Sequence, residues 1–174
     1  LGPEYLVSAK TLVENAIGME VSAREREQVI RRIAAKWRIR LHTTSALPGD
    51  VLMQNVDLQG YADYKTEVPY IFHKSKINLN ISSKTITSGI PQRVFDILSC
   101  GGFCLTNYQK EISKYSVDGE ELVMYRSMEH LENKIQYYLE HEEEREKIAR
   151  QGQDAIKKRF LLYDCFVKML KSFE

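Results

Sequence analysis

Apolar residues recur along the chain with two periods, and the points where the period changes divide it into elements. Near the start, Leu6, Val7, Ala9, Leu12, Val13 and Ala16 make one stripe of a helix predicted over residues 4 to 17, with Gly18 ending it. Ser22-Ala23-Arg24-Glu25 reads as a capping box, in which hydroxyl and carboxylate each satisfy an open backbone N–H. The helix it opens carries Val29, Ile30, Ile33, Ala34 and Trp37 at helical spacing. Its other face carries Arg24, Arg26, Arg31, Arg32 and Lys36, either a solvated face or a binding patch.

The pattern then alternates. RIRLHT, residues 38 to 43, reads as a strand, and 44 to 50, with Ser, Pro and Gly, as a loop. Residues 56 to 58 read as a short strand ending at Gly60, and 66 to 74 as a short helix with Pro69 tolerated in its first turn. KINLNI, 76 to 81, is another strand. A helix is expected from about Pro91 to Cys100. FCLT, 103 to 106, is apolar and bounded by Gly102 and Asn107, as a buried strand should be. Residues 111 to 121 are polar, with a turn at Asp118-Gly119, and LVMY, 122 to 125, is the last strand. Ser127 caps a helix to about Glu140. A highly charged helix over about 142 to 159 and a terminal one over about 162 to 172 complete the series.

Strands alternating with helices predict an α/β fold, a Rossmann-like parallel sheet flanked by helices. The expected organisation is one domain over residues 1 to 174, with leading helices (4–37), a strand–helix core (38–125) and C-terminal helices (127–174). Ligands of such sheets bind beyond the carboxyl ends of the strands. The loops after Thr43, Leu58, Ile81, Thr106 and Tyr125 are therefore the places to look.

Composition narrows the chemistry. The chain has 174 residues, 43% hydrophobic and 28% charged, with a formal net charge of +1. So no global field draws it to nucleic acid or an anionic membrane, and any anion site must be local. No apolar run approaches the ~20 residues of a membrane span. Three cysteines, Cys100, Cys104 and Cys165, form no disulfide framework, which points to packing and to a reducing, cytoplasmic compartment. His42, His73, His130 and His141 have no metal-ligand spacing. His42 ends a strand, either as a satisfied structural histidine or facing a cleft. Neither a nucleophile elbow nor a Walker-type phosphate loop is present. The chain opens Leu1-Gly2-Pro3 without methionine, as expected of an excised piece of a longer protein.

One stretch gathers chemistry: TSGIPQRVFDILSCGG, residues 87 to 102. A helix N-terminus offers unpaired N–H groups and a partial positive charge, which together suit phosphate. Gly89 removes a side chain from the approach, Ile90 follows, and Pro91 suits a first helical position that needs no N–H. Lys84 and Arg93 can add charge-assisted bonds to phosphate oxygens. Asp96 lies too deep in the helix to cap it, and suits the hydroxyls of a ribose diol. Arg93 and Asp96, at i and i+3, are also spaced for a plain surface salt bridge. Asn78 and Asn80 share a strand face, either supporting this loop or bonding at the strand end.

The run KINLNISSKTITSGIPQRVFDILSCGGFCLTNYQKEI, followed by DGEELVMYRSMEHLENKIQYYLEHEEEREKIARQGQ, resembles the C-terminal half of bacterial CgeB-type (spore-maturation) glycosyltransferases, over about residues 20 to 160. These look like members of the GT-B superfamily, in which two Rossmann-like domains face a cleft. The resemblance implies the donor-binding half of an enzyme that transfers a sugar from a nucleoside-diphosphate sugar, with no cofactor and no metal. It implies that Gly89, Ile90 and the helix start face the diphosphate, that Asp96 holds ribose hydroxyls, and that Gly60 and Tyr61 lie near the base. Ser88 stands eight positions before Asp96, where many retaining relatives carry an acid, so retention or inversion stays open. The resemblance also implies an acceptor domain upstream of this chain, with any general base supplied there and little turnover from this part alone. The other reading is a non-catalytic Rossmann-like module that binds a nucleotide or a protein.

Overall fold

The computed structural model describes residues 9–44, 55–86 and 88–160. The chain divides into two compact bodies, one formed by residues 1–61 with 81–88 and the other by 62–80 with 89–174. Both are built of parallel strands and helices, so the α/β class read from the alternating elements is the observed one.

The first body holds α1 (Ala9–Ala34), β1 (Ile39–His42) and β2 (Val56–Gln59). β1 and β2 pair in parallel, Ile39 opposite Val56 and His42 opposite Gln59. The two leading helices expected from the sequence are one, running through Gly18 without a break. A Cβ at Gly18 would lie 2.8 Å from Cγ2 of Thr85, so the glycine admits a neighbouring loop instead of ending a helix. The capping box does not form either. The Ser22 hydroxyl donates to Gly18 O at 2.6 Å and accepts from Lys84 N at 2.8 Å, while Glu25 pairs with Lys84 Nζ at 3.2 Å. The two residues fasten the 83–85 loop to the helix. Val29, Ile33 and Ala34 are buried. Arg24 and Arg31 pair with Glu20 and Glu27 one turn back, which suits a solvated basic face.

In the second body β3 (Asn78–Asn80), β4 (Cys104–Asn107) and β5 (Val123–Tyr125) form a parallel sheet in that order. Around it lie α2 (Val68–Lys74), α3 (Gln92–Ser99), the short α4 (Ile112–Tyr115), α5 (Met128–Glu140) and α6 (Glu142–Arg159). The core joins Val94, Ile97 and Leu98 of α3 to Cys104, Ile112, Leu122 and Met124. Cys104, Leu105 and Thr106 are all fully buried, as both-face burial of a parallel strand requires. Asn78 and Asn80 bond within the sheet and its packing. Asn78 Nδ2 donates to Phe72 O at 2.9 Å and Asn80 Nδ2 to Thr106 Oγ1 at 2.9 Å. Gly102 is where α3 meets this layer, for a Cβ there would lie 2.6 Å from Phe72 O and 2.7 Å from Asn78 Nδ2.

Ser127 caps α5 as expected, its Oγ accepting from His130 N. α6 starts with Glu142, Glu143 and Glu144 and ends with Lys157, Lys158 and Arg159, each charge favourable to the helix dipole. Arg159 closes the body through Glu121, with Nη1 and Nη2 on the two carboxylate oxygens at 2.8 and 2.6 Å. The segment between β4 and β5 is polar in sequence. It forms α4 because Ile112 is drawn wholly into the core. The expected turn follows it, with Gly119 at φ 82°. Most of the expected 44–50 loop, the terminal helix over 162–172 and Cys165 lie outside the described residues. Among those described, no helix is long and apolar enough to cross a membrane.

Candidate functional site

α3 connects two parallel strands, β3 and β4, so it runs back across the sheet and its N-terminus stands at the carboxyl edge. Its opening is bare. Pro91 occupies the N-cap with φ −56° and ψ 132°, and no side-chain cap bond is made there among the described residues. Proline has no hydroxyl or carboxylate with which to make one; Val94 N donates to Pro91 O at 2.9 Å, and the amides of Gln92 and Arg93 have no hydrogen-bond partner among the described residues. Gly89 enters with φ 86°, a left-handed conformation that side chains resist, and a Cβ built there meets nothing within 4 Å. Glycine is thus required by backbone handedness, and among the described residues nothing fills the position of its missing Cβ. Ile90 packs partly against the core cluster, anchoring the turn.

The helix is sharply two-faced. Val94, Ile97 and Leu98 are buried, while Gln92 and Arg93 are exposed and Asp96 is half-buried. Arg93 makes no ion pair among the described residues, and the Arg93–Asp96 salt bridge that the spacing allows does not form. Asp96 Oδ2 instead accepts a hydrogen bond from the phenol of Tyr64, and Gln92 Nε2 donates to the same phenol oxygen at 3.3 Å. The Asp96 carboxylate, by that bond and its charge, raises the Tyr64 phenol above its ordinary pKa.

Tyr64 escaped the sequence reading. It sits on a turn built by Asp63, whose Oδ1 accepts from Lys65 N, Thr66 N and Thr66 Oγ1 at 3.0, 2.8 and 2.7 Å. Those bonds, that from the Thr66 hydroxyl foremost, hold the Asp63 carboxyl below its usual pKa. An aspartate two and three residues before its amide donors is a legible turn signal. The partner of the following tyrosine, 32 positions along the chain, is not.

The other residues singled out lie in the first body. Lys84 has its ammonium on Glu25 and its amide on Ser22. Ser88 is exposed on a bend. Gly60 and Tyr61 follow the carboxyl end of β2, Gly60 with none of the described residues within 4 Å of where a Cβ would lie and Tyr61 74% exposed. In this body the His42 Nε2 atom, at the carboxyl end of β1, is buried without a hydrogen-bond partner among the described residues. The second body therefore brings together Gly89, Ile90, Arg93 and Asp96.

A further cluster at the carboxyl edge of the second sheet was not anticipated. The Arg126 guanidinium lies 3.5 Å over the Tyr108 ring, just past β5 and β4. A hydrogen bond with Ser113, then Arg126, lowers the Tyr108 phenol below its ordinary pKa. Among the described residues no group of His, Cys, Asp and Glu could hold a metal ion. Cys104, wholly buried, has its thiol pushed up to about 12 by burial, consistent with a packing role.

A family profile described as glycosyl transferase-like matches residues 22–170. No curated protein matches the chain by sequence. Several solved structures share its fold. Anabaena HepE in complex with UDP and glucose superposes with a TM-score of 0.67 at 14% identity, over 84% of this chain and 44% of HepE. TarM gives 0.66 at 13% identity, over 87% of this chain and 32% of TarM. The C-terminal domain of a group 1 glycosyl transferase, LpcC from Francisella tularensis, gives 0.53 at 15%, over 64% of this chain and 57% of that one. The chain thus spans less than half the length of HepE and of TarM, and at these identities the likeness is one of fold.

Proposed function

The chain belongs to the glycosyl transferase-like family, and from that premise we propose that it is the donor-binding part of a GT-B-type enzyme transferring a sugar from a nucleoside-diphosphate sugar. The observation that carries the proposal is the uncapped mouth of α3, with Gly89 before it and Asp96 further along the same helix. The amides opening α3 and the Arg93 guanidinium take the diphosphate, whose developing charge is the main thing such a transfer must stabilise. Asp96 takes ribose hydroxyls. Gly60, Tyr61, Lys84 and Ser88 are further donor contacts under this reading. UDP-sugar bound to a structure of the same fold supports it.

The finer parts of the reading are a CgeB-type, bacterial and cytoplasmic protein. It works without cofactor or metal, beside an acceptor domain outside this chain that supplies any general base. Calorimetric titration with uridine, guanosine, adenosine and thymidine diphosphates tests the donor site. Binding of at least one, weakened when the ribose or the diphosphate is removed, is the expected result. A folded protein that ignores all four refutes it. Binding without sugar transfer by the complete protein favours the non-catalytic module.

A further inference from the structure

We propose that Tyr64 is a positioning residue for ribose recognition, holding one oxygen of Asp96 so that the other faces the nucleotide; this rests on the donor-site reading above. The geometry is directional. A phenol has one proton to donate and lone pairs to accept with. Gln92 donates to the Tyr64 oxygen, so the phenol proton is committed to Asp96 Oδ2. Oδ1 of Asp96 has no hydrogen-bond partner among the described residues. A carboxylate offers about four lone-pair sites over its two oxygens, so the phenol leaves room for a sugar hydroxyl.

The chain of three side chains has a second consequence. Gln92 and Asp96 stand at i and i+4 and share one face of α3, and Tyr64 bridges them from outside. An aspartate on an otherwise solvated helix face samples several rotamers. The bridge selects one. Tyr64 itself is 50% exposed, so its ring is not needed to fill the core. Its own backbone is fixed by the turn of bonds to Asp63. A half-exposed tyrosine on a rigid turn, bonded to the one carboxylate on the outer face of α3, is better placed to orient that carboxylate than to stabilise the fold.

The experiment compares the protein with Tyr64→Phe and Asp96→Asn by calorimetry, using uridine diphosphate, 2′,3′-dideoxyuridine diphosphate and inorganic pyrophosphate. Guanosine, adenosine and thymidine pairs serve if the uridine pair does not bind. Tyr64→Phe should weaken the ribose-bearing diphosphate about tenfold, the scale of one charge-assisted hydrogen bond set loose. It should leave the dideoxy compound, pyrophosphate and the melting temperature as they are. Equal losses for the ribose and dideoxy compounds, no loss, or a gain for the ribose form would each overturn the role given to Tyr64. Loss on Asp96→Asn alone would overturn Tyr64 and keep the donor site. A folded parent protein blind to every diphosphate would overturn the donor site and this inference with it.

Discussion

Replacing Asp96 by alanine tests the centre of the site, and its effect can be worked from the geometry. Oδ2 accepts from Tyr64, so under the proposed donor site the ribose contact would fall on Oδ1. One hydrogen bond to a charged acceptor contributes about 1.5–3 kcal/mol. Taking about 2 kcal/mol, affinity for a nucleoside diphosphate should fall about thirtyfold. The fold should hardly notice, because Asp96 is half-buried on the outer face of α3 and Tyr64 regains water when its acceptor goes. Calorimetric titration with the nucleotide and with pyrophosphate, beside a thermal melt, separates the two effects. An unchanged nucleotide affinity with an unchanged melt removes Asp96 from the site. An equal loss for pyrophosphate means that the residue supports the mouth of α3 and does not read the sugar.

Arg93→Ala should weaken a diphosphate several-fold and a nucleoside little, and the loss should shrink with salt because the guanidinium is exposed; equal effects on both ligands contradict a phosphate role. Gly102→Ala forces a methyl to within 2.6 Å of a carbonyl oxygen and should destabilise by about 1–3 kcal/mol, read as a lower melting temperature. A melt like the parent's would show that the α3–β4 junction yields. Burial pushes the Tyr138 phenol up to about 12, so the fold prefers its protonated form. That stability is whole below the ordinary tyrosine value of about 10 and is lost as pH climbs through the raised one. Tyr108 has the opposite shift, its contribution present above the ordinary value and lost as pH falls through the lowered one. In ultraviolet titrations Tyr108→Phe should delete an early phenolate and Tyr138→Phe a late one; the reverse order contradicts the assignment.

Periodicity made the strands and their order of succession readable because each is short, either alternating (β1, β2, β3) or largely apolar (β4, β5), and set off by small or polar residues. α3 was readable to within a residue at each end, since Pro91 and Gly101 punctuate it and Val94, Ile97 and Leu98 repeat at helical spacing. α1 was misread because Gly18 and Ser22 carry local signals for an end and a start. Both are answered from residues 83–85, more than sixty positions away, and no local pattern contains that. The same limit governs the site. Gly89, Arg93 and Asp96 lie in one continuous stretch and announce themselves. Tyr64 completes the arrangement from a separate turn, and a lone tyrosine between aspartate and lysine looks like any surface residue. The pairing of Arg126 with Tyr108 joins the ends of two strands, so it too appears only when the sheet is assembled.

The turn before α3 sets a condition on chirality and none on bulk. At Gly89 the backbone is left-handed, while no described residue lies within 4 Å of where an L-residue's methyl would sit. The genetic code supplies only one achiral residue, so drift at this codon is confined although none of the described residues crowds the position. Chemical ligation lifts that confinement, for a D-amino acid takes positive φ as its ordinary state. A D-alanine seated there would meet the demand on handedness, its methyl projecting from the opposite side of Cα to that of an L-residue, so that handedness and bulk at the mouth of α3 are separable properties.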